Sequence, residues 1–164
     1  FVYTIGAISG CHINPAVTIG LWARKKICWK DSIFYILFQF IGASLAMLLA
    51  QKYTGGLIPG LVTGDNINPI IMFAEALGMI LFTFGISAAV DGNVSAGASG
   101  ITVGGSLFLG ILIAMGTSNG ILNPAVAFGL GSFSFAYVAG PIIGSIIGFS
   151  LYHGINSKIT SCDK

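Results

Sequence analysis

The chain has 164 residues, of which 55% are hydrophobic and only 7% charged, with a formal net charge of +2. Soluble domains carry about 25% charged residues, so this supply cannot cover a water-exposed globular surface, and the composition belongs to a membrane protein. So small a positive charge also leaves no electrostatic footprint for nucleic acid.

Residues 14–20 read Asn-Pro-Ala-Val-Thr-Ile-Gly. Asn is a preferred N-cap and Pro suits the first helical position, so the phrase reads as a helix start. The apolar stretch it opens, 15–22, is short. A hydrocarbon core of about 30 Å needs roughly 20 residues of helix, and a shorter helix must hide its unsatisfied end in protein or in a water-filled cavity. A re-entrant half-helix is therefore expected. Residues 23–31 are polar and hold the basic cluster Arg24, Lys25, Lys26 and Lys30. Residues 32–50 supply the first complete span, and 51–68 read as a connecting loop. A second span covers 70–90, interrupted by Glu75. Asp91-Gly92-Asn93 opens a turn, and a Gly-rich third span covers 99–116. Residues 123–129 read Asn-Pro-Ala-Val-Ala-Phe-Gly, a second copy of the phrase, again opening a short apolar stretch, 124–131. A fourth span, 134–155, contains Pro141.

After Pro69 the order is helix, helix, half-helix, helix; before it, only half-helix and helix are complete. We expect one channel domain over 1–164. Within it, 1–50 is the remainder of a first repeat, 51–68 a connector and 69–157 a second repeat. By internal comparison the first repeat lacks its first helix and most of its second, about 50 residues at roughly 20 per span plus loops. The halves enter the membrane with opposite orientation, the inverted-repeat plan. The basic cluster precedes the first complete span, Lys158 and Lys164 follow the last, and Lys52 alone falls on the other side. The positive-inside rule then makes the cluster and the C-terminus cytoplasmic; plasma and vacuolar membranes are not distinguished. The fold class is an all-α membrane protein of inverted repeats, with spanning helices and two re-entrant half-helices.

Two half-helix N-termini meeting at the midplane bring together two positive dipole ends, each worth about half an elementary charge. Asn14 and Asn123 each cap their own helix and turn a side-chain N–H into the lumen, where a water or hydroxyl oxygen accepts it. Pro15 and Pro124 start the helices, and Ala16 and Ala125 keep their contact small. Cations, hydrated protons included, meet a positive field and are rejected. Asn-Pro alone is ordinary helix-start vocabulary; the duplication in corresponding places favours the pore.

With Ser9-Gly10-Cys11-His12-Ile13-Asn14-Pro15-Ala16-Val17-Thr18, the second Asn-Pro-Ala and the inverted halves in hand, the chain resembles the aquaporin and aquaglyceroporin family over essentially its whole length. The resemblance implies six spanning helices plus two half-helices, a pore in each subunit of a homotetramer, and no cofactor or metal. It also implies that Glu75 and Gln39 belong to the hydrogen-bonded support of the re-entrant loops. Most members have Arg after the second Asn-Pro-Ala; here the residue is Val126. The family's spacing, counted back from Asn123, places two further filter positions at Ile111 and Gly120, and a fourth falls outside the sequence. Losing Arg removes five donors and a fixed charge. This uncharged lining resembles that of the tonoplast-intrinsic subgroup and implies passage of water with urea, ammonia or glycerol-sized solutes.

His12 has two readings: an imidazole that bonds the loop, or a pH sensor at the inner mouth. Cys11 is expected to be reachable from the inner vestibule; Cys28 and Cys162 read as small apolar residues, and neither metal-ligand spacing nor a disulfide framework is present. Glu75 is an intramembrane acid, which is normally functional or paired. No second acid or Lys shares its span, so loop support is preferred over a proton relay. Gly140, Gly144 and Gly148, with Gly100 and Gly104 on the preceding helix, are spaced for close helix packing. No nucleophile–base pair or phosphate loop supports an enzyme. A coupled transporter would carry more intramembrane charge, and a non-conducting structural protein of the same fold is the alternative to a channel.

Overall fold

The computed structural model describes residues 1–55 and 67–162, with the backbone alone over 158–162. Seven helices make up the described residues: α1 (Val2–Ser9), α2 (Pro15–Ala23), α3 (Trp29–Tyr53), α4 (Pro69–Val90), α5 (Ala96–Ala114), α6 (Pro124–Gly129) and α7 (Phe135–Cys162). α3, α4, α5 and α7 are each long and apolar enough to cross a membrane. They extend or trim the expected spans by a few residues at their ends. The expected connector 51–68 begins inside α3; its residues 56–66, and Lys164, lie outside the described residues, as do the side chains of Lys158 and Cys162.

α4 and α7 form the centre. Gly140, Gly144 and Gly148 lie against the α4 backbone so closely that a methyl on any of them would strike the carbonyl of Met72, Ala76 or Ile80. Small residues at such spacing let backbones approach where lipid gives no hydrophobic drive between helices. The α4–α5 contact uses the pair Gly78 and Gly110, each facing the other's carbonyl oxygen. Of the two glycines expected to do this on α5, Gly100 faces the Tyr3 ring of α1 and Gly104 faces open space. The spacing holds for Gly100, which admits α1, and not for Gly104, while Gly110 makes the contact with α4.

The half-helices interlock the two repeats. α2, from the first, packs on α7 of the second, and α6, from the second, packs on α3 of the first. Ala16, Val17 and Leu21 of α2 join Met79 and Phe82 of α4 and Phe149 of α7 in one buried cluster. Ala127 of α6 joins Ile71, Ala136 and Tyr137 in another. α6 ends at Gly129 rather than 131. Gly131 turns left-handed at φ 74, and its N–H and that of Ser132 return to the Phe128 and Ala127 carbonyls, closing the helix in a Schellman-type stop. Along α3 the side chains of Phe34, Phe38, Leu45 and Leu49 are exposed, as are Ile101 and Phe108 of α5. Such surfaces suit lipid tails and not water.

Candidate functional site

Both Asn residues of the doubled phrase cap their helices from an extended backbone. Asn14 Oδ1 accepts from the N–H groups of Ala16 at 2.8 Å and Val17 at 3.4 Å; Asn123 Oδ1 accepts from Ala125 at 3.0 Å and Val126 at 3.3 Å. Their amide nitrogens cross over. Asn14 Nδ2 donates to the Leu122 carbonyl at 2.8 Å, and Asn123 Nδ2 donates to the Ile13 carbonyl at 3.0 Å. Each Asn therefore clasps the residue that precedes the other. Ile13 and Leu122 take left-handed φ of 40° and 54°, which aims those carbonyls across the junction. For a β-branched residue such as Ile this is a genuine outlier, and strain of this kind gathers where the surrounding structure over-determines a functional geometry. An amide has two N–H groups; one of each Asn is used in the clasp. Asn14 is 3% exposed, whereas Asn123 is partly open.

The loop before α6 hangs on Glu75, which is fully buried. Its carboxylate accepts from the Ser118 hydroxyl at 2.7 Å, the Ile121 N–H at 3.0 Å and the Leu122 N–H at 2.6 Å. Three donors on one carboxylate satisfy the charge locally, as a buried acid requires. The Tyr137 hydroxyl accepts from the Asn119 N–H at 3.0 Å.

The loop before α2 is held by neutral groups. Gln39 Nε2 donates to Thr18 Oγ1 at 3.0 Å, and Thr18 Oγ1 donates to the Asn14 carbonyl at 3.1 Å. His12 Nδ1 lies 3.2 Å from the same hydroxyl. With that hydroxyl's proton on the Asn14 carbonyl, the tautomer that completes the group is the one in which His12 Nδ1 donates. The His12 ring packs on Tyr35 with centroids 4.7 Å apart, and the Tyr35 hydroxyl donates to the Ser9 carbonyl at 2.7 Å. Burial holds the His12 pKa below the usual imidazole range and pushes the Cys11 thiol up. Gln39 Oε1 is buried with no partner among the described residues.

Two cavities approach the clasp. One of about 620 Å³ lies among α1, α2, α4 and α5, with Cys11, His12, Ile13 and Val17 in its wall and Lys26 at its rim. The other, about 720 Å³, is bounded by α3 and by His12, Ile13, Gln39, Ala125 and Val126. They share His12 and Ile13 of the loop before α2, and neither Asn14 nor Asn123 is in the wall of either. Of the three expected filter residues, Val126 is 42% exposed and lines the second cavity. Ile111 and Gly120 are neighbours: a methyl on Gly120 would meet the Ile111 carbonyl and side chain. Ile111 is partly buried against the α2–α4 cluster, and neither residue is in the wall of these two cavities. Thr18, Ser118, Tyr35 and Tyr137 also hold the loops. Only Thr18 leaves a signal in the sequence, as the hydroxyl residue where the second copy of the phrase has Ala127.

A profile of the family described as Major intrinsic protein matches residues 1–153. Aquaporin AqpM of Methanothermobacter thermautotrophicus is 36% identical, over 96% of this chain and 72% of its own length. Aquaporin NIP1-1 of Zea mays is 32% identical over 93% of this chain and 57% of its own. Glycerol uptake facilitator protein-like 6 of Lactiplantibacillus plantarum is 31% identical over 88% of this chain and 74% of its own.

Proposed function

The chain belongs to the major intrinsic protein family, whose members are membrane channels rather than enzymes, and from that premise we propose that it passes water together with urea, ammonia and glycerol-sized solutes while turning back ions and protons. The observation that carries this reading is the reciprocal clasp of Asn14 and Asn123. It sets the positive ends of α2 and α6 against each other, with two amides whose remaining N–H groups serve a passing oxygen. A neutral molecule exchanges hydrogen bonds there at little cost. A cation meets two partial positive charges of about +0.5 each in a low-dielectric surround.

Selectivity among neutral solutes is assigned to Ile111, Gly120 and Val126, an uncharged set in which Val126 stands where most relatives of the resemblance carry Arg. Glu75 and the Gln39–Thr18–His12 group act as supports that hold the loops in place. The basic residues at the start of α3 make that face cytoplasmic by the positive-inside rule, and a homotetramer is the assembly in which each subunit would carry its own pore. Stopped-flow light scattering on proteoliposomes tests the reading, with a sucrose gradient for shrinkage and a urea gradient for reswelling. Both rates are expected well above those of protein-free vesicles. Fast shrinkage with urea entry at the protein-free rate would confine the channel to water, and neither rate rising would leave a non-conducting protein of this fold.

A further inference from the structure

The basic cluster between α2 and α3 is put to unequal use. Arg24 Nη1 donates to the Phe149 carbonyl at 2.6 Å, and Lys26 pairs with Asp91 at 2.9 Å. Both tie the end of α2 to the second repeat. Lys25 and Lys30 are exposed and make no ion pair among the described residues; Lys30 Nζ stands 5.8 Å from the centre of the Trp29 ring.

Lys25 occupies a position that is costly for it. It leaves α2 with φ +55, while the matching residue after α6 is Gly131 at φ +74. The two stops are alike in hydrogen bonding: the N–H groups of Lys25 and Lys26 return to Trp22 and Leu21, as those of Gly131 and Ser132 return to Phe128 and Ala127. Glycine takes the left-handed conformation without strain and lysine does not. A lysine therefore stands where glycine would serve the fold better, and an observed outlier of this kind points towards function.

Beside Lys25 is a depression of about 390 Å³ bounded by Trp22, Lys25, Lys26, Ile27, Cys28 and Trp29. Trp22 and Trp29 are 49% and 57% exposed, and Tyr53, at the other end of α3, is 90% exposed. Aromatic residues at both ends of a span mark the two headgroup levels. The depression thus sits at headgroup depth, walled by two indoles, with one uncompensated lysine inside and another over Trp29. The first turn of α3 adds a dipole that favours an anion, and its own acid, Asp31, offsets part of that field.

We propose that this depression binds the phosphate of an anionic phospholipid headgroup, with Lys25 and Lys30 contacting the phosphate and Trp22 and Trp29 seated at the boundary with the acyl chains. A phosphate anion is the shared chemistry, and the lipid is its source. Trp22 and Trp29 are the chain's two tryptophans, so fluorescence excited selectively in tryptophan reports this site. The test is quenching of that fluorescence in vesicles of phosphatidylcholine carrying either brominated phosphatidylglycerol or brominated phosphatidylcholine at equal mole fraction. The wild-type protein is expected to favour the brominated phosphatidylglycerol, by about fivefold for each lysine at the surface. Lys25→Gly relieves the left-handed strain, so its thermal stability should equal or exceed the wild type while the preference falls about fivefold; adding Lys30→Gln should abolish it. Equal quenching by the two lipids in the wild type overturns the site, as does a preference that survives in the double variant. Millimolar inorganic phosphate should leave the preference unchanged; if it releases the brominated lipid, the site is one for free phosphate and the lipid assignment fails.

Discussion

In the loop before α2, Cys11 and Ile13 take left-handed φ of 52° and 40°; in the loop before α6, Gly120 and Leu122 do the same at 61° and 54°. Each loop ends in an Asn that caps its half-helix and reaches across to the other loop. The supports behind this shared backbone differ in kind. The second loop rests on the Glu75 carboxylate through three hydrogen bonds. The first rests on a chain of neutral groups, from Gln39 through Thr18 to Asn14 with His12 alongside. The backbone shape is common because both carbonyls must be aimed at the opposite Asn. The props are free to vary because any donor or acceptor that satisfies the loop will hold that shape.

Hydrogen bonds to a charged group are roughly twice as strong as neutral ones, so the two loops should fail unequally. Glu75→Ala leaves the Ile121 and Leu122 N–H groups without their acceptor in an apolar interior, at about 1–3 kcal/mol each, while the Ser118 hydroxyl keeps the Ala114 carbonyl. The expected outcome is loss of most folded, monodisperse protein in detergent. Thr18→Val removes only neutral bonds and should cost about 1–2 kcal/mol, read as a lower midpoint of thermal unfolding. Equal losses would mean that the charged and the neutral support hold their loops alike.

The clasp can be separated from the cap because the chain contains a third Asn-Pro helix start. Asn68 caps α4 by accepting from Ile70 at 3.0 Å and Ile71 at 3.2 Å, but its amide reaches across to no other loop among the described residues. Asn68→Ala should cost about 1 kcal/mol, the usual value of a cap. Asn14→Ala and Asn123→Ala should cost about 2 kcal/mol each, since a cross-loop hydrogen bond is lost as well. Chemical denaturation followed by helical circular dichroism checks the ranking. If all three variants cost the same, the clasp contributes nothing to stability.

Val126→Arg sharpens the comparison on the functional side, because it places on α6 a charge that α2 does not have. Urea entry should fall by about tenfold or more while water flux is largely kept, as a fixed cation and its donors narrow a neutral pore. Unchanged urea entry would remove Val126 from the filter.

The smallest effect expected is that of pH on the first loop. Burial lowers the His12 pKa, so the folded protein keeps the ring neutral at pH values where the unfolded chain, with its imidazole near 6.5, begins to take up a proton. Stability is therefore full above about pH 6.5 and declines as pH falls through that value towards the folded pKa. His12→Gln should flatten the decline seen in thermal unfolding. Water flux should stay level from pH 7 to pH 8, since His12 is neutral throughout.

What the sequence makes legible is local chemistry. Asn14-Pro15 and Asn123-Pro124 announce helix starts, and the short apolar stretch after each announces a half-helix. Glu75 stands out as a lone acid in an apolar span. Asn68-Pro69 marks the limit, for it has the same local signal and the same cap without the clasp, and only the approach of two loops distant in sequence separates the cases. The left-handed Ile13 runs against its own propensity and leaves no trace in the sequence. Thr18 looks like part of an apolar stretch until folding brings Gln39 and His12 to its hydroxyl. Spacing alone picks Gly100 but also Gly104, which faces open space, and passes over Gly110, because a four-residue interval fits several faces of one helix and only the partner, Gly78 against Gly110, selects one.

A junction that opposes the ends of α2 and α6 should pass neutral molecules and bar cations. The most direct test is proton flux into proteoliposomes under an imposed pH gradient, with the wild type beside Asn123→Asp, which sets a carboxylate at the junction. The wild-type proton flux should equal that of protein-free vesicles alongside fast water flux, and the variant should show a measurable proton leak. A wild-type channel that leaks protons as fast as the variant would contradict this expectation.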